Sequence, residues 1–484
     1  MSFSLAPGVT LRATEEGKFL LAERPLRAVR VNEALYRLLS REGALSSGSR
    51  GEAHVLEALA RAGYLERQAG EDPGTGARPS VTVVIPVKDR ADELERCLAS
   101  LERLRYPREL LEVIVVDDGS TDESPAVARA HGARVVASGG CGAGPASARN
   151  RGAREARGEL LAFIDSDCTS APDWLAELVG RFADPEVGAV GGRVEGMHCA
   201  TRLDQYEARM SSLSLGDREL SGRDGDDTFY VPSCNILVRR SAFREAGGFR
   251  AGMHVGEDVD LSWRLRDRGY RLVYVPRGWV YHEHRNRLAA FLRRRFEYGT
   301  SEALLQGRHP RRRKKLAAPS GLVAVLGCGL AALLGAGWTA LFAAALVLLL
   351  DASRAQARFR RVGLGLGLPR ALASRARAAA SLAYYVGYHA IRYYGWPLLL
   401  ASALFPRLGA VVLLLLLGVA AVDHRVRRVS LGYPAFLFYY TGEQLAYGAG
   451  VFWGCLRHGT FRSYLAQVSV RPARGLRQEQ AARG

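Results

Sequence analysis

The chain has 484 residues, 48% of them hydrophobic, which suits two or three domains with substantial cores. Its formal net charge of +18 fits nucleic acid, an anionic membrane face or a phosphate-rich substrate, and does not choose among them. Seven scattered cysteines without a CxxC pair exclude a disulfide framework and a structural zinc site, and suit a reduced, cytosol-facing compartment.

The first residues, MSFSLAPGVTLRATEEGKFLL, lack the basic-then-apolar build of a signal peptide, so export of the soluble part is not expected. Residues 1–68 read as a small α+β unit. Strand-like runs at Val9–Arg12 and Phe19–Ala22 precede a helix over Val31–Ser40 with Asn32 as its N-cap. A second helix over Glu52–Ala62 stops at Gly63. Two helices with short strands predict a winged-helix-like module, or a plain structural cap. Residues 69–80, AGEDPGTGARPS, read as a linker.

From residue 81 the pattern alternates. Apolar runs at Val81–Val87, Leu111–Val116, Arg134–Ala137 and Leu160–Ile164 read as strands. Helical patterns lie between them at Ala91–Leu104, Ser124–His131 and Ala146–Ala156. This βαβα rhythm predicts an open α/β sheet with a nucleotide site at the carboxyl ends of its strands. Beyond residue 316 the composition changes. Pro319–Leu350 holds no charged residue, Pro397–Phe405 is apolar, and Leu408–Val422 is uncharged. The first stretch is long enough for one tilted span or two short ones. Basic flanks, RHPRRRKK before it and RAQARFRR after it, predict a hairpin that enters and returns. Arg375, Arg377 and HRVRR imply the same for 378–423, giving two or four passes with the basic ends cytoplasmic. Tyr384, Tyr385, Tyr388, Tyr393, Tyr394 and Trp396 crowd together as interfacial aromatics do, so helices lying in the membrane surface are the alternative there.

Four motifs carry chemistry. VVDDGSTD ends the second strand. Asp117 and Asp118 there can accept hydrogen bonds from a uracil N–H and from ribose hydroxyls, or the turn simply caps the next helix. FIDSDC places Asp165 and Asp167 two apart at the end of a buried strand. A divalent cation, Mg2+ or Mn2+, relieves their repulsion and bridges to donor phosphates; a solvated acidic turn is the alternative. GEDVDLSWRL sets Glu257 and Asp258 before an amphipathic helix. Acidic residues suit any helix N-terminus, but Asp258 is also placed to take a proton from an attacking sugar hydroxyl. VYHEHR carries His282 and His284, which face opposite ways if extended, so one could meet the metal or the diphosphate. Arg293, Arg294 and Arg295 follow, to stabilise a leaving diphosphate or to lie against anionic lipid.

The stretches VTVVIPVKDR, VVDDGSTD, ASARNRGAREARGELLAFIDSDC, VGGRV, PSCNILVRRSAFREAGGF, GEDVDLSWRL and VYHEHR, in that order over residues 81–300, resemble the family 2 glycosyltransferases of the GT-A fold. The resemblance implies an inverting transferase. Pro86, Val87, Asp89, Asp117, Asp118 and Asp165 would surround the donor nucleotide. Asp165 and Asp167 would be the metal-binding DxD, His282 a further metal contact, and Asp258 the base of an ED pair with Glu257. Two features depart from the family pattern. The processive QxxRW motif is reduced to the Arg of LRRRF (292–296), and position 89 is Asp where many relatives have Asn.

Residues 1–68 are similar to PqqD-type peptide chaperones through VNEALYRLLSREG and LEALARAGYLER. The whole arrangement resembles the glycosyltransferases of mycofactocin systems. That implies glucose transfer from UDP-glucose to a peptide-derived redox cofactor. The head would hold the peptide by edge-strand pairing and present it to the open end of the sheet. The expected layout is a peptide-binding head (1–68), a linker (69–80), a GT-A domain (81–315), membrane helices (316–423) and an amphipathic tail (424–484). The catalytic domain is expected on the cytoplasmic face of the cell membrane. A polyprenyl phosphate or envelope glycan is the alternative acceptor. Nucleic acid is disfavoured, because residues 1–68 hold ten Arg or Lys against eight Asp or Glu.

Overall fold

The computed structural model describes residues 2–24, 26–41, 45–46, 49–68, 78–139, 142–222 and 228–471. Most of the expected linker and the last thirteen residues fall outside these.

The head begins with strands β1 (Ser2–Leu5), β2 (Val9–Thr14), β3 (Gly17–Glu23) and β4 (Leu26–Val31). β2, β3 and β4 form an antiparallel meander. Helix α1 (Glu33–Leu39) is capped as expected, Asn32 Oδ1 accepting from the Leu35 N–H at 2.8 Å. β5 (Leu45–Ser46), α2 (Arg50–Arg61) and β6 (Leu65–Gln68) complete the unit, with β5 and β6 flanking β1. The meander has two covered faces. Leu20, Ala22, Val29 and Val31 pack on the head's own helices. Phe19 and Ala28 pack instead on Phe359, Leu364 and Leu366, far along the chain.

The catalytic segment runs through β7 (Val81–Val87), α3 (Ala91–Leu101), β8 (Leu111–Asp117), α4 (Ser124–Ala130), β9 (Arg134–Ala137), α5 (Pro145–Glu155) and β10 (Leu160–Phe163). It continues with β11 (Cys168–Ser170), α6 (Trp174–Val179), β12 (Val187–Gly191), β13 (Val194–Gly196), α7 (Arg202–Met210) and β14 (Leu220–Gly222). Next come β15 (Ile236–Arg239), α8 (Arg240–Glu245), α9 (Glu257–Asp267), β16 (Arg271–Tyr274), β17 (Val280–His282) and α10 (Leu288–Arg308). Eight strands form one sheet in the order β14-β16-β12-β15-β10-β7-β8-β9, with β14 and β15 antiparallel to their neighbours. The expected open α/β sheet is therefore present as a mixed one. Its central strands are buried on both faces, which is why they read as unbroken apolar runs.

After β18 (Lys315–Pro319) the chain folds into two helical hairpins. The first pairs α11 (Ser320–Ala331) with α12 (Gly337–Arg360) across a bend at Gly335 (φ 124°) and Gly337 (φ 65°), where only glycine is unstrained. A Cβ on Gly321 would lie 3.3 Å from Asp351, so the arms run side by side. The uncharged stretch is thus two short arms; α11, twelve residues, is about 18 Å long. The second hairpin joins α13 (Leu368–Leu404) to α14 (Pro406–Val426). Ser320–Arg360 and Pro406–Val426 are apolar and long enough to cross a membrane by length and composition.

The aromatic cluster of α13 departs from the interfacial reading. Tyr384 donates to Asp423, Tyr393 to Glu302, Tyr394 to the Tyr464 carbonyl and Trp396 to the Leu445 carbonyl, so these polar tips bind neighbouring segments of the chain. Helix α15 (Tyr433–His458) lies along α10 at glycine contacts. A Cβ on Gly299 would meet the Tyr447 carbonyl, and one on Gly450 the Phe296 carbonyl. β19 (Gln467–Arg471) pairs in parallel with β18.

The head does not sit at the open end of the sheet. Its Glu57 is 3.2 Å from Arg271, the first residue of β16, and Thr14 Oγ1 donates to the Val362 carbonyl at 3.0 Å. Arg271 marks the amino end of the parallel strands, opposite the loops that carry the motifs. The expectation that the head presents a peptide directly at those loops is corrected by this placement. Its meander is drawn to the base instead, because Phe19 and Ala28 need an apolar surface that Phe359, Leu364 and Leu366 supply.

Candidate active site

The carboxyl ends of β7, β8 and β10 and the amino end of β15 meet at one cavity of about 1030 Å³. Pro86, Val87, Asp118, Asp165, Asp167, Glu257, Asp258 and His282 all line it. Of the residues expected there, Asp89 and Asp117 do not. Asp89, at φ 50°, accepts from the backbone and side chain of Thr121, and Asp117 Oδ1 accepts from the Ser120 N–H. Both carboxylates tie turns together; neither caps the helix that follows VVDDGSTD, whose N-cap residue is Glu123 without a side-chain cap. Asp118 accepts from the Ser138 hydroxyl and from the N–H groups of Ala143 and Gly144, so it fixes the loop leading into α5.

Asp165 and Asp167 lie beyond the end of β10 and take different partners. Asp165 is paired with Arg149, whose other arm holds Glu257 at 2.9 Å. Asp167 is paired with Arg90 at 2.6 Å and faces His282 Nε2 at 3.6 Å. Burial raises the pKa of Asp167, but the charges of His282 and Arg90 outweigh that and hold it below the ordinary value. Ligating atoms of Asp167, Cys168 and His282 lie within 4.8 Å of one another. Burial pushes the Cys168 thiol well above its usual range, so the neutral thiol is the weakest of the three donors. His282 Nδ1 is buried without a hydrogen-bond partner among the described residues.

Glu257 and Asp258 open α9 behind Gly256, which is at φ 78°. Glu257 is turned inward onto Arg149. Asp258 takes the N–H groups of Val259 at 2.8 Å and Ser233 at 3.3 Å and faces the cavity. Burial first, and the neighbouring Glu257 charge second, push its pKa up to about 7.

His282 and His284 do not face opposite ways. Their ring centroids are 5.0 Å apart and both line the cavity, because residues two apart in extended chain share a face, so the expectation of opposite faces misapplied the two-residue period. Burial, helped by His282 and Arg295, pulls His284 down to about 3, so it is neutral at pH 7. The three arginines also separate. Arg293 is exposed and pairs with Glu297, and Arg294 lines the cavity beside Tyr298. Arg295 is buried between Glu207 and Glu443, so it fastens α7, α10 and α15 together. Sequence reasoning missed Glu207, Arg285, Arg287, Arg392, Glu443 and Tyr447, all of which line the cavity. Arg149 was visible inside ASARNRGAR, but nothing near it in sequence shows its partners.

Residues 82–247 match the family model described as glycosyl transferase family 2. The pre-mycofactocin glycosyltransferase of Mycobacterium tuberculosis is 36% identical over 477 residues, 95% of this chain and 96% of its own length. Glycosyltransferase AglE of Haloferax volcanii is 30% identical over 210 residues, covering 42% of this chain and 66% of its own. Among solved structures, the mannosyltransferase PcManGT from Pyrobaculum calidifontis, in complex with GDP-Man and Mn2+, is 25% identical. It covers 68% of this chain and 93% of its own, with a TM-score of 0.40. With a relative matched along nearly its whole length and the family motifs gathered at one cavity, the chain belongs to the family 2 glycosyltransferases.

Proposed function

We propose that this glycosyltransferase moves a hexose, glucose from UDP-glucose by its resemblance, onto a peptide-derived acceptor, inverting the anomeric centre. The observation that carries the reading is Asp258. Its carboxylate faces the same cavity as Asp118, Asp165 and Asp167, with its pKa raised to about 7. A base so tuned takes a proton from an acceptor hydroxyl near neutral pH, as the hydroxyl oxygen attacks the anomeric carbon and the nucleoside diphosphate leaves. Arg149 holds Asp165 and Glu257 in register on either side. Arg285 and Arg287, at the cavity rim, are the guanidinium groups for the departing diphosphate, in place of Arg293 and Arg295.

Asp165, Asp167 and His282 would hold Mg2+ or Mn2+. The Asp167 carboxylate and the His282 imidazole, whose Nδ1 is buried without a partner among the described residues, fit such an ion, and Asp165 lines the same cavity. Once bound, it would supply positive charge to the diphosphate.

The name of the full-length relative supports a peptide-derived acceptor. The head is the natural peptide-recognition unit, at a distance from the chemistry. Ala371 packs in the head contact and Arg392 lines the cavity, twenty-one residues apart on α13, about 31 Å. An extended peptide of about ten residues covers that length. The exposed apolar hairpins support attachment to the cell membrane, with the basic flanks and the catalytic domain on its cytoplasmic face. To test the reading, purified full-length protein is given UDP-glucose, Mn2+ or Mg2+, and either the modified peptide-derived cofactor or a polyprenyl phosphate. Mass spectrometry and the anomeric NMR coupling then identify the product. Transfer to the peptide-derived compound with inversion is expected; transfer to the lipid phosphate alone would overturn the acceptor assignment.

A further inference from the structure

The cavity is larger than a donor site. Besides the strand-end loops, its lining includes Val259 and Trp263 on α9, Tyr298 and Ser301 on α10, Arg392 on α13 and Tyr447 on α15. These residues line an arm of the cavity that includes Asp258, and Arg392 and Tyr447 bring one wall of it from the C-terminal helices.

Hydrogen-bonding capacity in this arm is one-sided. Glu302 already accepts from Lys314, Tyr393 and Tyr447. Glu443 accepts from Tyr206 at 2.9 Å and faces Arg295 at 3.5 Å and Arg392 at 3.7 Å. The acceptors are engaged, but donors remain. Arg392 Cζ lies 3.5 Å from the centroid of the Tyr447 ring, and the guanidinium directs one hydrogen bond, Nη1 to Gln444 Oε1 at 2.8 Å, out of five N–H groups. Trp263 is 3% exposed, and its indole N–H has no partner among the described residues. Buried donors without acceptors are costly, and a ligand that brings oxygen atoms removes the cost. Tyr298 and Tyr447 offer ring surface to the organic body of such a ligand.

We propose that this arm is the acceptor subsite and that it takes an organic anion, its carboxylate or phosphate bound by Arg392 with Trp263 donating to one of its oxygens. A hydroxyl of the same molecule then reaches Asp258. The inference rests on the transferase reading above and adds the charge of the acceptor and the residues that read it.

The test uses the full-length protein with UDP-glucose and Mn2+. Release of UDP without acceptor, by transfer of the glucosyl group to water, shows that the donor is activated; failure of the protein to bind UDP-glucose with Mn2+ at all would count against the transferase reading and not against the arm. Acceptors are then offered in charged and neutral pairs. Para-hydroxyphenylacetate is set against its amide, and phosphatidylglycerol against diacylglycerol in phosphatidylcholine vesicles. The expected result is a preference of at least about tenfold in kcat/KM for the charged member of one pair, the scale of a charge-assisted hydrogen bond. The preferred pair identifies a soluble carboxylate or a lipid phosphate as the source. Arg392→Gln should bring that ratio close to one, Arg392→Lys should keep part of it, and Trp263→Phe should lower it by a smaller factor. Equal use of charged and neutral members, an unchanged ratio in Arg392→Gln, or donor turnover with no transfer to any charged member would each overturn the proposal.

Discussion

Replacing Asp258 by Asn removes one ionisable oxygen and almost no volume. Burial and the nearby Glu257 charge raise this carboxyl from its ordinary 3.8 to about 7, against the pull of the Val259 N–H, Arg149 and the Ser233 N–H. The folded value lies above the unfolded one. The folded chain therefore holds the proton more tightly, and that stabilising preference is complete below about 3.8. It is lost as pH climbs through 7, where the folded state must carry a buried carboxylate. The displacement corresponds to at most about 4 kcal/mol above pH 7. The part-exposed side chain makes this an upper bound. Asp258→Asn should therefore melt several degrees higher than wild type at pH 8 and equally at pH 4. Activity should move the other way. UDP release with acceptor should fall by about 10²- to 10⁴-fold, and the wild-type rise of rate through about pH 7 should vanish. Melting curves from pH 4 to pH 8 and initial rates over the same range test both signs. A variant that melts lower than wild type at pH 8, or keeps a tenth of the wild-type rate, would refute a strained catalytic base at this position.

Asp167→Ala should abolish metal-dependent turnover while the protein stays folded, because its partner Arg90 is 37% exposed and can turn to water. Mn2+ titration followed by electron paramagnetic resonance should show affinity weakened by at least about tenfold. Gly450→Val sets a branched side chain against the Phe296 carbonyl and should cost about 3 kcal/mol or more, read as a lowered melting temperature or loss of soluble protein. Phe359→Ser strips the apolar cover from Phe19 and Ala28. It should loosen the head, read as faster protease cleavage within residues 1–68 at an unchanged catalytic melting transition.

Much of the catalytic segment was legible because its signals are local. Val81–Val87 and Arg134–Ala137 are strands at the residues read from apolar runs, and Asn32 caps the helix it was expected to cap. What was not legible depends on distant partners. Residues 236–238 are apolar whichever way they run, so the antiparallel insertion of β15 between β10 and β12 left no mark in the pattern. Arg149 meets Glu257, 108 residues away, and no spacing rule joins them. His282 and His284 are two apart, and the two-residue period of extended chain puts such residues on one face, so their common side was legible and the expectation of opposite faces misapplied the rule. One overlooked signal was available. Phe19, Leu20, Leu21 and Ala22 are consecutive apolar residues, the pattern of a strand covered on both faces and not of the rim of a free-standing module. That run foretold a second packing surface for the head.

The composition changes at residue 316, but the packing does not divide there. Helix α10 belongs by sequence to the catalytic segment, and its glycine face is filled by α15. Tyr206 on α7 packs against Phe291 on α10 and Phe436 on α15, and its hydroxyl donates to Glu443. Arg295 sits 4% exposed between a catalytic-segment carboxylate, Glu207, and a C-terminal one, Glu443. Removing the C-terminal helices would leave that guanidinium with half its partners and expose Phe291 and Tyr206 together. A buried charge stripped of one partner costs several kcal/mol. Residues 81–315 expressed alone should therefore aggregate, even though they contain every motif of the chemistry. The same packing lets a helix unit suited to a membrane form part of a sugar-transfer cavity. Arg392 on α13 and Tyr447 on α15 line the same cavity as Asp258, and α15 is seated on α10 at its glycines, so this helix contact helps to fix the C-terminal wall of the cavity beside the strand-end loops.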